Sequence, residues 1–157
     1  QLLEQPEPLF LILENLQDPG NLGTMIRTGE GAGITGVIMN SQTVDIFNPK
    51  TIRATMGSIF RVPFVYVPEL SPVLTQMHEK GIHTYAAHLK GKEYYDSFSF
   101  REPTAFLIGN EGNGLTKEIS DQSGQYLKIP MEGKVESLNA SIAAALLMYE
   151  AHRQRKL

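Results

Sequence analysis

The feature that most constrains this chain is a repeating alternation. A short apolar run is followed by a turn rich in glycine, proline or asparagine, and then by a segment of helical period. Leu9-Phe10-Leu11-Ile12-Leu13, Gly36-Val37-Ile38-Met39 and Ala105-Phe106-Leu107-Ile108 are short and apolar on both faces. Strands of that kind belong in a parallel sheet covered by helices on both sides. Strands are expected over 9–13, 36–39, 63–67, 82–87, 105–109 and 126–129. Helices are expected over 22–32 (stopped by Gly33), 50–59 (Pro49 at the first helical position), 71–81 and 138–153. The last helix repeats apolar residues at 138, 142, 146 and 149, a stripe for the core or for a subunit contact. The fold class is therefore α/β, a mostly parallel sheet flanked by helices. A soft boundary near 68–72 divides it into two halves of one sheet. Residues 90–102 read as a long exposed loop.

Composition narrows the function. At 157 residues the chain suits one domain, long enough to bury roughly two-thirds of its unfolded surface. The absence of cysteine excludes disulfides and thiolate metal sites. No run approaches the ~20 apolar residues of a membrane span, and no signal peptide is visible, so no membrane partner and a cytoplasmic location are expected. A net charge of −3 argues against a non-specific polyanion binder. Two basic clusters, Lys50/Arg53/Arg61 and Arg153/Arg155/Lys156, are compatible with one defined RNA contact or with plain solvated surface. The chain opens on Gln1 rather than Met, as a domain trimmed from a longer protein would.

Several familiar chemistries fail on context. Gly31-x-Gly33-x-x-Gly36 spells a dinucleotide fingerprint, but it leaves a helix and enters a strand, the reverse of what that motif requires. There is no Gly-Lys-Ser/Thr phosphate loop and no G-x-S-x-G elbow. His78, His83 and His88 are spaced by five, which stacks them on no common face, so no metal is expected. What remains is three polar, glycine-bearing segments, each at the carboxyl end of an apolar strand, where α/β sheets collect ligands. The first is Asn21-Leu22-Gly23 leading to Arg27. The second is Gly109-Asn110-Glu111-Gly112-Asn113-Gly114, whose glycines suit a backbone that approaches a ligand closely or takes several positive φ angles, and which taken alone fits a tight surface turn equally well. The third runs from Ile129-Pro130-Met131 to Ser137-Leu138-Asn139, where small polar side chains flank a helix N-terminus.

In order and spacing these segments resemble the three motifs of the SpoU (TrmH) branch of the SPOUT methyltransferases, from about residue 8 to the C-terminus. Asn48-Pro49-Lys50 to Arg61 is similar to the family segment that follows the first motif. The resemblance implies a homodimeric enzyme that methylates the ribose 2′-hydroxyl of RNA with S-adenosylmethionine and no metal. It also implies a C-terminal trefoil knot, over roughly 82–157, which periodicity cannot reveal. Carried over residue by residue, Gly109, Ile129 and Leu138 would contact the donor, with Asn110, Met131 and the strand end at Ala86-Ala87 as further candidates. Arg27, Asn21, Glu111, Ser137 and Asn139 would surround the methyl group and the incoming ribose. Arg27 would hold a phosphate and favour the ionised hydroxyl. Lys50 and Arg53, three apart on one helix face, would grip RNA phosphates. Ala143-Ala144-Ala145 would allow a close subunit contact. Similarity to rRNA-acting members through Asn48-Pro49-Lys50 and the third motif points to 23S rRNA, with tRNA as the alternative. A non-catalytic RNA-binding module of the same fold is the rival reading. Many relatives carry an extra N-terminal RNA-binding domain, and one is expected to be missing here.

Overall fold

The computed structural model describes residues 2–88, 91–134 and 138–156. Its strands are β1 (Leu9–Leu13), β2 (Gly36–Asn40), β3 (Phe64–Val67), β4 (His83–Ala87), β5 (Thr104–Ile108) and β6 (Gln125–Leu127). The helices are α1 (Pro19–Ala32), α2 (Pro49–Thr55), α3 (Ser71–Glu79), α4 (Lys117–Gln122) and α5 (Ala140–Arg155). All strand pairs are parallel, in the order β3-β2-β1-β5-β4-β6. The two expected halves are thus β1–β3 and β4–β6, joined where β1 meets β5. Winding reverses at that seam, and α/β sheets bind ligands just outside such a reversal.

β1 is buried along its whole length and divides its side chains between two cores. Leu9, Leu11 and Leu13 pack with Leu22, Met25 and Ile26 of α1 and with Ala144, Leu147 and Met148 of α5. Phe10 and Ile12 pack on the other face with Leu74 and Met77 of α3 and Ile119 of α4. This is the two-period of a strand buried on both sides. In register, Leu13 lies opposite Ile108, Ala86 opposite Leu107 and Ala87 opposite Leu127. The carboxyl ends of β1, β5, β4 and β6 therefore lie side by side.

Several expectations change, beginning with the first helix, which starts at Pro19 and not at 22 because Asp18 caps it. The helix after Pro49 stops at Thr55, because Met56 and Gly57 both take left-handed backbone, and a separate 3-10 turn, Ser58–Phe60, follows. The helix α4 was not foreseen; it is one short element capped by the Thr116 hydroxyl. The segment before β5 is exposed along most of its length, as expected, but it is anchored at Phe98 and Phe100. Phe100 is fully buried, its ring edge-on to Tyr85 and Phe106. Gln154 of α5 accepts from Phe100 N at 2.6 Å and donates to Phe98 O at 3.0 Å. Arg155 donates to the carbonyls of Glu7, Phe100 and Glu102, so the C-terminal basic cluster is in part a structural clasp. Among the described residues, no helix is long and apolar enough to cross a membrane.

Candidate methyl-donor and RNA site

The site begins with three loops leaving the sheet at one edge. After β1, Asp18 caps α1 by accepting from Gly20 N (2.8 Å) and Asn21 N (3.2 Å), with Pro19 next in line. After β5, Asn110 curls the loop on itself, its side-chain oxygen accepting from Gly112 N and Asn113 N. After β6 the chain passes Pro130 and returns to α5, whose N-cap Asn139 accepts from Ser141 N at 2.8 Å and from the Ser141 hydroxyl at 2.6 Å.

The first two loops are tied together. The Glu111 carboxylate accepts from Gln17 N (3.0 Å) and Asp18 N (2.6 Å), and the Asn110 side-chain amide donates to Asn15 O at 2.7 Å. Below them the buried Glu14 carboxylate takes both the backbone N–H and the hydroxyl of Thr116, each at 2.8 Å. Asn15 and Asn40 exchange hydrogen bonds, fixing the turn after β1 against β2. Sequence reading missed Glu14, Asn15 and Asn40. The available signal was a carboxylate and an amide ending a wholly apolar run.

Between the second and third loops lies a cavity of about 570 Å³, a size typical of cofactor sites. Of the expected site residues, Gly109, Asn110, Glu111, Ile129, Met131, Leu138 and Ala87 line it. Ala86 is buried inside β4 instead. Ile108, Leu115, Leu127, Ala140 and Ala143 add apolar wall, while His88, Tyr94 and Lys128 stand in it as residues no motif flagged. Lys128 lies over the Tyr94 ring, 5.1 Å from its centre. Gly109 has no room for a side chain: a Cβ there would lie 2.1 Å from Leu115 N and 2.2 Å from Gly114 C.

The remaining expected residues lie elsewhere. Ser137 falls outside the described residues. Asn21 and Arg27 are on α1, away from the cavity, and Asn139 is engaged as the helix cap. Gly23 abuts Thr51 and Ala54 of α2, and Glu30 binds Ser58 and Arg61. Arg27 lies between them at helical spacing, so it shares the stripe of α1 that meets α2 and the 3-10 turn. Lys50 and Arg53 are exposed on α2 nearby. Arg61 is not part of a free basic cluster, because Glu30 holds it. The Arg61 guanidinium, followed by the Ser58 hydroxyl, lowers the Glu30 carboxyl to about 2.

The apolar stripe of α5 faces outward. Ile142, Leu146 and Tyr149 are exposed and line a groove of about 470 Å³ with Thr24 and Thr28 of α1. The three consecutive alanines separate: Ala143 faces the cavity, Ala144 the core and Ala145 the groove.

Comparison with known proteins agrees with this layout. The SpoU rRNA Methylase family profile matches residues 8–149. The chain is 36% identical over 149 residues to the putative TrmH family tRNA/rRNA methyltransferase YacO of Bacillus subtilis, covering 95% of this chain and 60% of that protein. It is 37% identical over 139 residues to RlmP of the same organism, a 23S rRNA (guanosine(2553)-2′-O)-methyltransferase, covering 88% of this chain and 56% of that protein. The SpoU methyltransferase AviRb of Streptomyces viridochromogenes, solved with AdoMet, superposes with a TM-score of 0.91 at 32% identity, over 97% of this chain and 59% of that one. The chain thus spans somewhat under two-thirds of the length of these relatives. With this sheet, these three loops and this match, the chain belongs to the SpoU rRNA methylase family.

Proposed function

We propose that this chain is the catalytic domain of an enzyme that transfers a methyl group from S-adenosylmethionine to a ribose 2′-hydroxyl of RNA, with 23S rRNA the favoured substrate. The observation that carries this reading is the cavity between the loops after β5 and β6, where the backbone at Gly109 leaves no space for a Cβ. Its residues suit the donor: Ile108, Leu115, Ile129 and Leu138 offer apolar contacts to an adenosine, and the loop backbone offers polar ones. The donor supplies an electrophilic methyl on a sulfonium, and the reaction consumes charge, so a partly dry pocket favours it. Asn110 and Glu111 hold the loop in place through Asn15, Gln17 and Asp18, which makes positioning a large part of their role.

Arg27, exposed on α1, holds an RNA phosphate and stabilises the ionised acceptor hydroxyl in this reading. A guanidinium stays protonated and suits that role better than proton abstraction. Because Arg27 and Asn21 stand apart from the cavity of their own chain, they serve the cavity of a second copy. The outward apolar face of α5, with Ile142, Leu146 and Tyr149, supports a homodimer that brings them there. Lys50 and Arg53 extend the phosphate contact. The trefoil knot over roughly 82–157 and an RNA-binding domain N-terminal to this chain belong to the same proposal. The 23S preference draws support from similarity to RlmP, and tRNA is the alternative.

Two measurements test it. Calorimetry should detect S-adenosylmethionine binding; no binding would leave the non-catalytic module. Mapping of 2′-O-methyl groups in total RNA, with and without the full-length protein, should reveal a dependent site in 23S rRNA. A site confined to tRNA would overturn the rRNA assignment.

A further inference from the structure

We propose that Phe60 is a stacking platform for an unpaired nucleobase beside the target ribose, so the RNA is single-stranded where this enzyme grips it. This rests on the RNA reading above. Phe60 is 87% exposed, the highest value among the large apolar side chains of the described residues. Its ring does nothing for the core, yet the backbone beneath it is firmly held. Ser58 and Ile59, the two residues before it in the 3-10 turn, are buried. The Ser58 hydroxyl donates to Glu30 at 2.6 Å, the Arg61 guanidinium clasps the same carboxylate, and Phe60 N donates to Gly57 O at 3.1 Å. The ring is therefore presented to water by a braced turn.

The surroundings of this turn select the occupant. Arg27 lies one helical turn from Glu30 on α1, Arg53 sits in the last turn of α2, which leads through Met56 into the 3-10 turn, and Lys50 opens the same helix beside Gly20. Among the described residues, none of these three cations has an ion-pair partner. Glu30 is neutralised by Arg61. Met56, 66% exposed, adds apolar surface at the junction. An exposed aromatic face on a turn packed against helices that carry unpaired cations matches a strand with bare bases and an anionic backbone. An apolar protein partner would leave those cations without counter-charge. A paired A-form helix would satisfy the cations and leave the ring unused, because its base faces are stacked away.

The chain contains no tryptophan, so Phe60→Trp places a single fluorescent reporter on the turn. The experiment titrates this variant, Phe60→Ala, Phe60→Leu and the unaltered chain with a short unpaired oligoribonucleotide, and with the same strand annealed to its complement. Calorimetry with S-adenosylmethionine runs in parallel as a check on folding. The expected results are quenching of the Phe60→Trp indole fluorescence by the unpaired strand only, and about a tenfold loss of affinity for that strand in both Phe60→Ala and Phe60→Leu, with donor binding unchanged. Full retention of affinity in Phe60→Leu would overturn the platform and indicate a general apolar contact, as a protein surface provides. Equal affinity of all variants for both RNAs, with the indole unquenched, would overturn it while leaving the methyltransferase reading intact. If the unaltered chain bound neither RNA at low salt, both readings would fall together.

Discussion

At the scale of single residues, the second loop depends on a hydrogen atom where any other residue brings carbon. Gly109 is hemmed in by backbone at 2.1–2.2 Å from its would-be Cβ, and backbone yields less readily than a flexible side chain. Gly112, in the same loop, meets only Asn110 Oδ1 at 3.5 Å, an ordinary contact. Gly109→Ala is therefore expected to cost about 1–3 kcal/mol of stability as an overpacking substitution and to abolish donor binding, whereas Gly112→Ala should leave both nearly unchanged. Thermal unfolding and calorimetry on the two variants check this, and similar behaviour of the pair would count against close packing at 109. The same scale separates lining from support. Glu111 touches the cavity, but its carboxylate oxygens are occupied by the Gln17 and Asp18 amides.

At the scale of elements, α1 works as a rail with distinct stripes. Gly23 lets α2 approach, since a Cβ there would lie 2.5 Å from Ala54 Cβ, and Glu30 secures the 3-10 turn through Ser58 and Arg61. The Glu30 clamp carries a pH signature. Its carboxyl is lowered from the ordinary 4.5 to about 2. A carboxylate with a depressed folded value contributes fully above its unfolded value and loses that contribution as pH falls through the folded one. The clamp should hold above pH 4.5 and release toward pH 2. The Arg61 Nε resonance, followed by NMR, should titrate with the low midpoint, and Glu30→Gln should remove the titration. A midpoint near 4.5 would mean that the pair is not formed in solution. The segment before β5 shows the same logic in apolar form: Phe98 and Phe100 dock on Tyr85 while Gln154 satisfies their backbone groups.

At the scale of the molecule, the sheet reversal at β1 and β5 sets the first and second loops beside each other, and parallel register brings the third level with them. The cavity walls come from one chain, whereas Arg27, Ile142, Leu146 and Tyr149 are exposed and line no part of it. That division makes a distinctive prediction. If the proposed homodimer forms through the α1–α5 groove, Leu146→Glu, which puts a charge there, should give a monomer in sedimentation and depress the proposed methyl transfer at least tenfold, the effect of about 1.4 kcal/mol or more on the barrier. Donor binding by the isolated chain should survive. A monomeric variant with full transfer activity would refute any contribution from a second copy.

β1, β2 and β5 were legible because burial along their whole length makes them near-continuous apolar runs, and the helix after Asn48-Pro49 starts where its local cap sets it, whereas α1 starts at Pro19, three residues before the expected 22. Much of the cavity lining was readable too, since Gly109, Ile129 and Leu138 lie in short motifs at strand ends. Local chemistry is enough for such features: caps, turns and apolar runs are decided within a few residues. It could not reveal that the stripe at 142, 146 and 149 faces water, because helical periodicity marks an apolar face without saying what covers it. Nor could it show Glu14 gripping Thr116, Glu111 tying down the start of α1, or Gln154 anchoring Phe100. Those contacts join residues 54 to 102 positions apart, and only the packed sheet, by setting distant strand ends side by side, brings such partners within hydrogen-bond reach.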